Sequence, residues 1–324
     1  MESFVCHGCL IVDLSNGNID NPGPAAQNIA KMWSTANTFF DEVVNNDEAV
    51  ITNKLPPITP IDEEGCPRHA VAGYASYDDG NMRFMETRLK RRLSNNNDNN
   101  DKDSGDILPE EIRNVIGDNG VKTLRDAFDV LSKVSVDALR IAVAASTDEV
   151  EGFTDDDDDG EMKTLSASAK ASIGSLRLVN ELVDVAVAEK VGEKNSATTT
   201  TTCMSPYRLC RYEGGKTKSG EENKGVETFG AHTDTSFVTV VPVSAVAGLE
   251  VLDEDVSDKW LKPEEVARFD WVGRQQEKND KQTGDDEEVV PWHARYVVVL
   301  PGELLQICTR NEVPASVHRV VTGE

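Results

Sequence analysis

Two side chains that bind metals stand two positions apart in Gly230-Ala231-His232-Thr233-Asp234-Thr235-Ser236-Phe237-Val238-Thr239-Val240-Val241. An imidazole and a carboxylate presented together supply two of the three ligands of a 2-His-1-carboxylate site. Such a site leaves positions open on the metal and suits non-haem Fe(II). The residues that follow are rich in Val, Thr and Phe, which favours a pleated strand. Alternate residues of a strand share a face, so the spacing predicts that His232 and Asp234 project together, with Thr233 on the other side. The third ligand must come from elsewhere. His318, in Ser316-Val317-His318-Arg319-Val320-Val321, falls in a late apolar run, and ligands on separate strands of a closed sheet can face one another across its interior. His293, in Pro291-Trp292-His293-Ala294-Arg295-Tyr296, is the competitor and is expected at a strand start.

The elements around these residues change character along the chain. Gly8 to Leu14 reads as a short buried strand, and Pro24 then opens a helix, as proline can at a first turn. Ile29, Met32, Trp33, Ala36, Phe40 and Val43 recur at helical intervals and predict a core-facing stripe. The Asp-Gly and aromatics of Gly73 to Gly80 predict a strand end and turn. Further helices are expected over Val121 to Ala145 and Leu165 to Val191. Three low-complexity inserts, at residues 95–106, 154–160 and 198–202, cannot bury apolar surface and are expected to be disordered loops.

After Cys203 the pattern becomes β. Short apolar runs at Tyr207 to Tyr212, Phe237 to Val243, Gly248 to Leu252, Tyr296 to Leu300, Leu304 to Cys308 and Val317 to Val321 predict a series of strands, as in a sandwich or barrel. Asp253 to Val289 reads as a charged surface insertion between two of them. The expected organisation is α+β: a mostly helical part over residues 1–202, then a β core over residues 203–324.

Composition narrows the partners. The 324 residues carry a formal net charge of −25, which repels nucleic acid and anionic membranes alike. No apolar stretch is long enough to span a bilayer, and the N-terminus lacks the basic segment of a signal peptide. Six scattered cysteines are too few for a disulfide scaffold, so a reduced, cytoplasmic protein is expected. Cys6-His7-Gly8-Cys9 has the spacing of half a zinc site, but no second pair follows it. Gly-x-Gly-x-x-Gly, P-loop and Gly-x-Ser-x-Gly motifs are absent, which leaves nucleotide binding and serine hydrolysis without support.

Taken in order, Gly230 to Thr239, Gly248-Leu249-Glu250-Val251-Leu252, Pro301-Gly302-Glu303-Leu304-Leu305-Gln306 and Ser316-Val317-His318-Arg319-Val320 resemble the Fe(II)- and 2-oxoglutarate-dependent dioxygenases, in particular their isopenicillin-N-synthase-like branch. Arg208-Leu209-Cys210-Arg211-Tyr212 is similar to the strand in which that branch carries Asn-x-Tyr, with Cys210 in place of Asn. The resemblance implies a double-stranded β-helix (jelly-roll) core flanked by N-terminal helices. It also implies Fe(II) bound by His232, Asp234 and His318, with 2-oxoglutarate touched by Tyr212, and O₂ as co-reactant. The implied reaction hydroxylates or desaturates a small organic molecule and yields succinate and CO₂.

One block of that family is missing. Its members anchor the far carboxylate of 2-oxoglutarate with Arg-x-Ser on the strand after the second His, and no Arg-x-Ser lies between His318 and Glu324. The expectation is a chain truncated at its C-terminus, without the last jelly-roll strand. Arg295 and Arg208 are candidate substitutes, whereas Arg319, adjacent to His318, should point to the opposite face. The alternatives are a 2-oxoglutarate-independent Fe(II) oxidase and a catalytically silent metal-binding or regulatory member of the fold.

Overall fold

The computed structural model describes residues 8–15, 21–45, 72–77, 81–90, 107–151, 204–213, 227–253, 259–279 and 290–321. The three low-complexity inserts, the helix expected over Leu165 to Val191, and Cys6 with His7 lie outside these residues.

The architecture is α+β with antiparallel sheets. Strand β1 (Leu10–Asp13) pairs with β9 (Tyr296–Pro301), which pairs with β6 (Val238–Pro242). A second sheet runs β5 (Glu227–His232), β10 (His318–Val321), β7 (Leu249–Asp253), β8 (Lys259–Leu261). A third joins β2 (Gly73–Tyr77), β3 (Met82–Lys90) and β4 (Met204–Tyr212).

Strand β9 is buried along its whole length because both of its faces are covered. Tyr296, Val298 and Leu300 meet Leu249 and Val251 of β7, so the first two sheets pack face to face. Val297 and Val299 turn the other way, toward the helices. An uninterrupted Val-Val-Val-Leu run is what two-sided burial asks for.

Helix α1 (Gly23–Asn45) forms as the apolar stripe dictates, with Ile29, Met32, Phe39, Phe40 and Val43 all buried. Helix α2 (Glu110–Glu151) is longer than the sequence pattern indicated and breaks at Gly117, whose φ of 67° suits glycine. Leu124, Ala127, Phe128 and Leu131 of α2 share one core with α1, and Val136, Leu139 and Ala142 pack with Val299 and Leu305.

One expectation is corrected and two are filled in. Leu304 to Cys308 is not a strand but most of helix α4 (Glu303–Cys308), in which Leu305 is buried and Thr309 closes the last turn by donating to the Leu305 carbonyl. Its Leu, Gln and Ile residues fit either state, and a five-residue run carries too few periods to separate them. The segment Asp253 to Val289 contains β8 and helix α3 (Pro263–Asn279), which buries Glu264 and Ala267. Arg274 of α3 reaches Asp13 of β1 at 2.6 Å, and Asp270 accepts from the Tyr296 hydroxyl at 2.7 Å. The half expected to be mostly helical also supplies β1, β2 and β3, of which β3 carried no recognised signal.

Candidate metal centre

His232 is the last residue of β5, and His318 the first of β10, and the two are paired in the ladder. Their rings lie 4.3 Å apart, centroid to centroid. Asp234 is not in a strand. β5 ends at His232 and β6 begins at Val238, so Asp234 lies in the connection between them. The strand alternation expected for His232 and Asp234 is therefore replaced by a shaped turn.

That turn is clamped from one side by the start of α4. The N–H groups of Gly302, Glu303 and Leu304 donate to the carbonyls of Phe237, Asp234 and Ser236 at 2.9, 2.8 and 3.1 Å. The approach is close enough that a Cβ on Gly302 would meet the Ser236 carbonyl oxygen at 2.2 Å. Thr233 adds a side-chain link, donating to Glu303 Oε1 at 2.6 Å. Inside the turn, Thr239 donates to Asp234 Oδ2 at 2.6 Å, and its hydroxyl also lies 3.1 Å from Ser236 Oγ.

Both imidazoles are oriented by backbone. His232 Nδ1 is 2.8 Å from the Gly230 carbonyl, and His318 Nδ1 is 3.0 Å from the Ser316 carbonyl. A carbonyl only accepts, so each Nδ1 carries the proton and each Nε2 presents a lone pair. Each Nε2 stands 3.7 Å from an oxygen of Asp234. The three ligand atoms all lie within 4.8 Å of one another.

These residues fit a metal ion. Two donors at right angles on a metal with bonds of about 2.1 Å sit about 3 Å apart, so a small side-chain movement closes the set. Burial, reinforced by the neighbouring His232, holds the His318 imidazole below its ordinary pKa against the opposing pull of the Ser316 carbonyl and Asp234. A neutral imidazole is the form that binds metal. His318 is buried while His232 and Asp234 are half-buried, so one side of the trio is open to a ligand.

Among the described residues this is the one His/Cys/Asp/Glu group of that kind, and His293 is not in it. His293 lies in the 3-10 turn Trp292–Arg295, edge-on to Trp33 and Trp292. Cys9, the described half of the Cys-x-x-Cys pair, is buried beside β7 and β9 with its thiol pushed up to about 11, chiefly by that burial. Arg319 points away from the trio, as expected, to Glu250 and Glu227 and over the Trp260 ring.

Tyr212 stands on the face of β4 that looks toward β5. Its neighbours there are Phe84 and Phe229, and Phe229 in turn packs on His232 with ring centroids 4.5 Å apart. Sequence reasoning missed Ser236, Thr239, Gly302 and Glu303 as supports of the centre. A Thr in a β-branched run looks like any strand former, whereas Pro301-Gly302-Glu303 did carry the signature of a helix start.

No family model matches the sequence, and no curated protein matches it. Solved structures do. The chain is similar to full-length T7H of Neurospora crassa in complex with alpha-KG and 5-formyluracil, at 14% identity and a TM-score of 0.50, over 99% of this chain and 70% of that one. It is also similar to AtDAO1, the dioxygenase for auxin oxidation 1 of Arabidopsis thaliana, in binary complex with 2-oxoglutarate (14% identity, TM-score 0.46, 100% and 80% of the chains). A third is the rice dioxygenase for auxin oxidation (15% identity, TM-score 0.44, 100% and 71%). The likeness to T7H is one of fold.

Proposed function

We propose that this protein is an Fe(II)- and 2-oxoglutarate-dependent oxygenase that hydroxylates or desaturates a small organic molecule with O₂, giving succinate and CO₂. The observation that carries the proposal is the trio itself: two imidazoles locked by backbone carbonyls with Nε2 inward, and one carboxylate between them. In this reading the two face-to-face antiparallel sheets form a double-stranded β-helix core whose strands come from residues 203–324 apart from β1 at one edge, framed by the helices of residues 1–202. The fold shared with the T7H structure supports it.

When bound, Fe(II) supplies the O₂ activation and electron transfer that side chains lack. His232 and His318 would each give Nε2, and Asp234 one carboxylate oxygen while Thr239 holds Oδ2. Tyr212 would donate its hydroxyl to the cosubstrate. Burial, reinforced by Cys210, pushes its phenol far above the ordinary value, so it stays protonated as a donor. Among the described residues no helix is long and apolar enough to cross a membrane, and a cytoplasmic site of action is part of the proposal.

The test is anaerobic addition of Fe(II) and then 2-oxoglutarate, read as a visible absorption band, followed by succinate release in air. Wild type is expected to give both, and His232→Ala neither. A wild-type protein that retains no iron, or a variant indistinguishable from it, would sink the proposal.

A further inference from the structure

A break in the ladder between β5 and β10 sits beside the metal centre. His318 pairs with His232 and Val320 with Phe229, so a step of two residues on β10 is matched by a step of three on β5. Gly230 and Ala231 carry no register partner, and both are exposed. The extra residue redirects side chains. Residues three apart on a regular strand point to opposite faces, and a one-residue bulge returns them to the same face. Phe229 therefore shares the face of His232, and their rings meet edge to face, 4.5 Å between centroids and 78° between planes. The Thr228 hydroxyl donates to the Val320 carbonyl at 3.1 Å and ties the bulged segment to β10.

His232 needs such a neighbour more than His318 does. It ends an edge strand, since β5 pairs with β10 alone among the described residues. Its side chain is 32% exposed, against 9% for His318. The bond between Nδ1 and the Gly230 carbonyl fixes one atom of the ring, about which the ring can still pivot. Two rings limit that pivot. One is His318, at 4.3 Å, itself held by burial and by the Ser316 carbonyl; the other is Phe229.

Phe229 is braced in turn. Phe84 of β3, 6% exposed, meets it edge to face at 6.4 Å, so the third sheet backs the metal centre through this pair of rings. An edge-to-face pair favours a narrow range of ring angles, which an aliphatic side chain of similar bulk does not impose.

We propose that Phe229 is a positioning residue for the metal centre: carried to the metal face by the bulge at Gly230 and Ala231, its ring holds the His232 imidazole where Nε2 faces the Asp234 carboxylate and Nε2 of His318. This role rests on the metal-binding part of the function proposed above. It adds the contact that orders the more exposed imidazole before an ion arrives. A ligand ordered in advance loses little freedom on binding, and affinity rises accordingly.

The experiment uses the full chain, metal-free and then titrated with Co(II), as wild type, Phe229→Leu and Phe229→Tyr. At alkaline pH, where imidazoles are neutral, NMR of the histidine nitrogens in metal-free wild type is expected to show His232 as a single Nδ1–H tautomer. Phe229→Leu keeps the apolar bulk and removes the ring. His232 should then average toward the mixed tautomers of a free imidazole, and Co(II) affinity, read from the visible band, should fall about tenfold. Phe229→Tyr keeps the ring and should stay within about twofold of wild type, with the tautomer unchanged. Wild-type affinity in Phe229→Leu overturns the role and leaves the metal reading standing. A fall in affinity with the His232 tautomer unchanged, or an equal fall in Phe229→Tyr, assigns the loss to packing and overturns it as well. A wild type that binds no Co(II) removes the metal reading and this role with it. Should Phe229→Leu not fold, Phe229→Met is read by the same criteria.

Discussion

Asp234 has two oxygens, and what separates them is a hydroxyl. Thr239 donates to Oδ2 and is itself within reach of Ser236, so the carboxylate cannot rotate freely about its own axis. Ligands held this way reach the metal without first being ordered. Thr239→Val keeps the shape and removes the donor. It is expected to weaken Co(II) binding by about tenfold, measured by titration of the visible band, while Thr239→Ser restores most of it. Equal affinity of the Val variant and wild type would show that the hydroxyl does nothing for the carboxylate.

Between β5 and β6 the chain makes the turn that carries Asp234, and helix α4 is the element that shapes it. Three N–H groups at the start of α4 would otherwise lack intrahelical partners, and three carbonyls of the turn accept from them. Because Gly302 lets the two backbones approach, Gly302→Ala forces them apart. The expected cost is about 1–3 kcal/mol of unfolding free energy in a denaturant titration, with loss of metal binding beyond what the stability change explains. Unaltered stability and metal affinity would contradict the clamp. Helix α3 plays a comparable part on the far side of β9, where Arg274 and Asp270 tie it to Asp13 and Tyr296.

The whole molecule depends on such ties because β1 is distant in sequence from the strand it pairs with. Asp13 belongs to that joint. Burial pushes its carboxyl up, but the hydroxyl and N–H of Ser15 and the guanidinium of Arg274 outweigh this and hold it below the usual range. A carboxyl lowered in the folded state adds stability that is complete above its unfolded value of about 3.9 and is lost as pH falls through the folded one. Asp13→Asn should therefore be less stable than wild type at pH 7, with the gap narrowing below about pH 4 in denaturant melts. A gap independent of pH would assign the effect to packing. Metal acts on the same scale, because the trio joins the ends of β5 and β10 to the turn before β6. At 100 times its dissociation constant, one bound ion adds about 2.7 kcal/mol, so melting temperature should rise with added Fe(II) in wild type and not in His232→Ala.

By itself the sequence picked out His232, Asp234 and His318, which the fold brings together, along with the α1 stripe and the late strands β6, β7, β9 and β10. These are features in which residue type and period act locally: imidazoles and a carboxylate are chemically distinct, and a 3.6-residue stripe or a Val-rich run states its own burial. What only the tertiary structure decided was how Asp234 reaches the histidines and that Leu304 to Cys308 is helical. Those outcomes depend on partners far along the chain. The Gly302 N–H finds Phe237 and the Glu303 N–H finds Asp234, and no local pattern encodes a neighbour that the fold alone brings near.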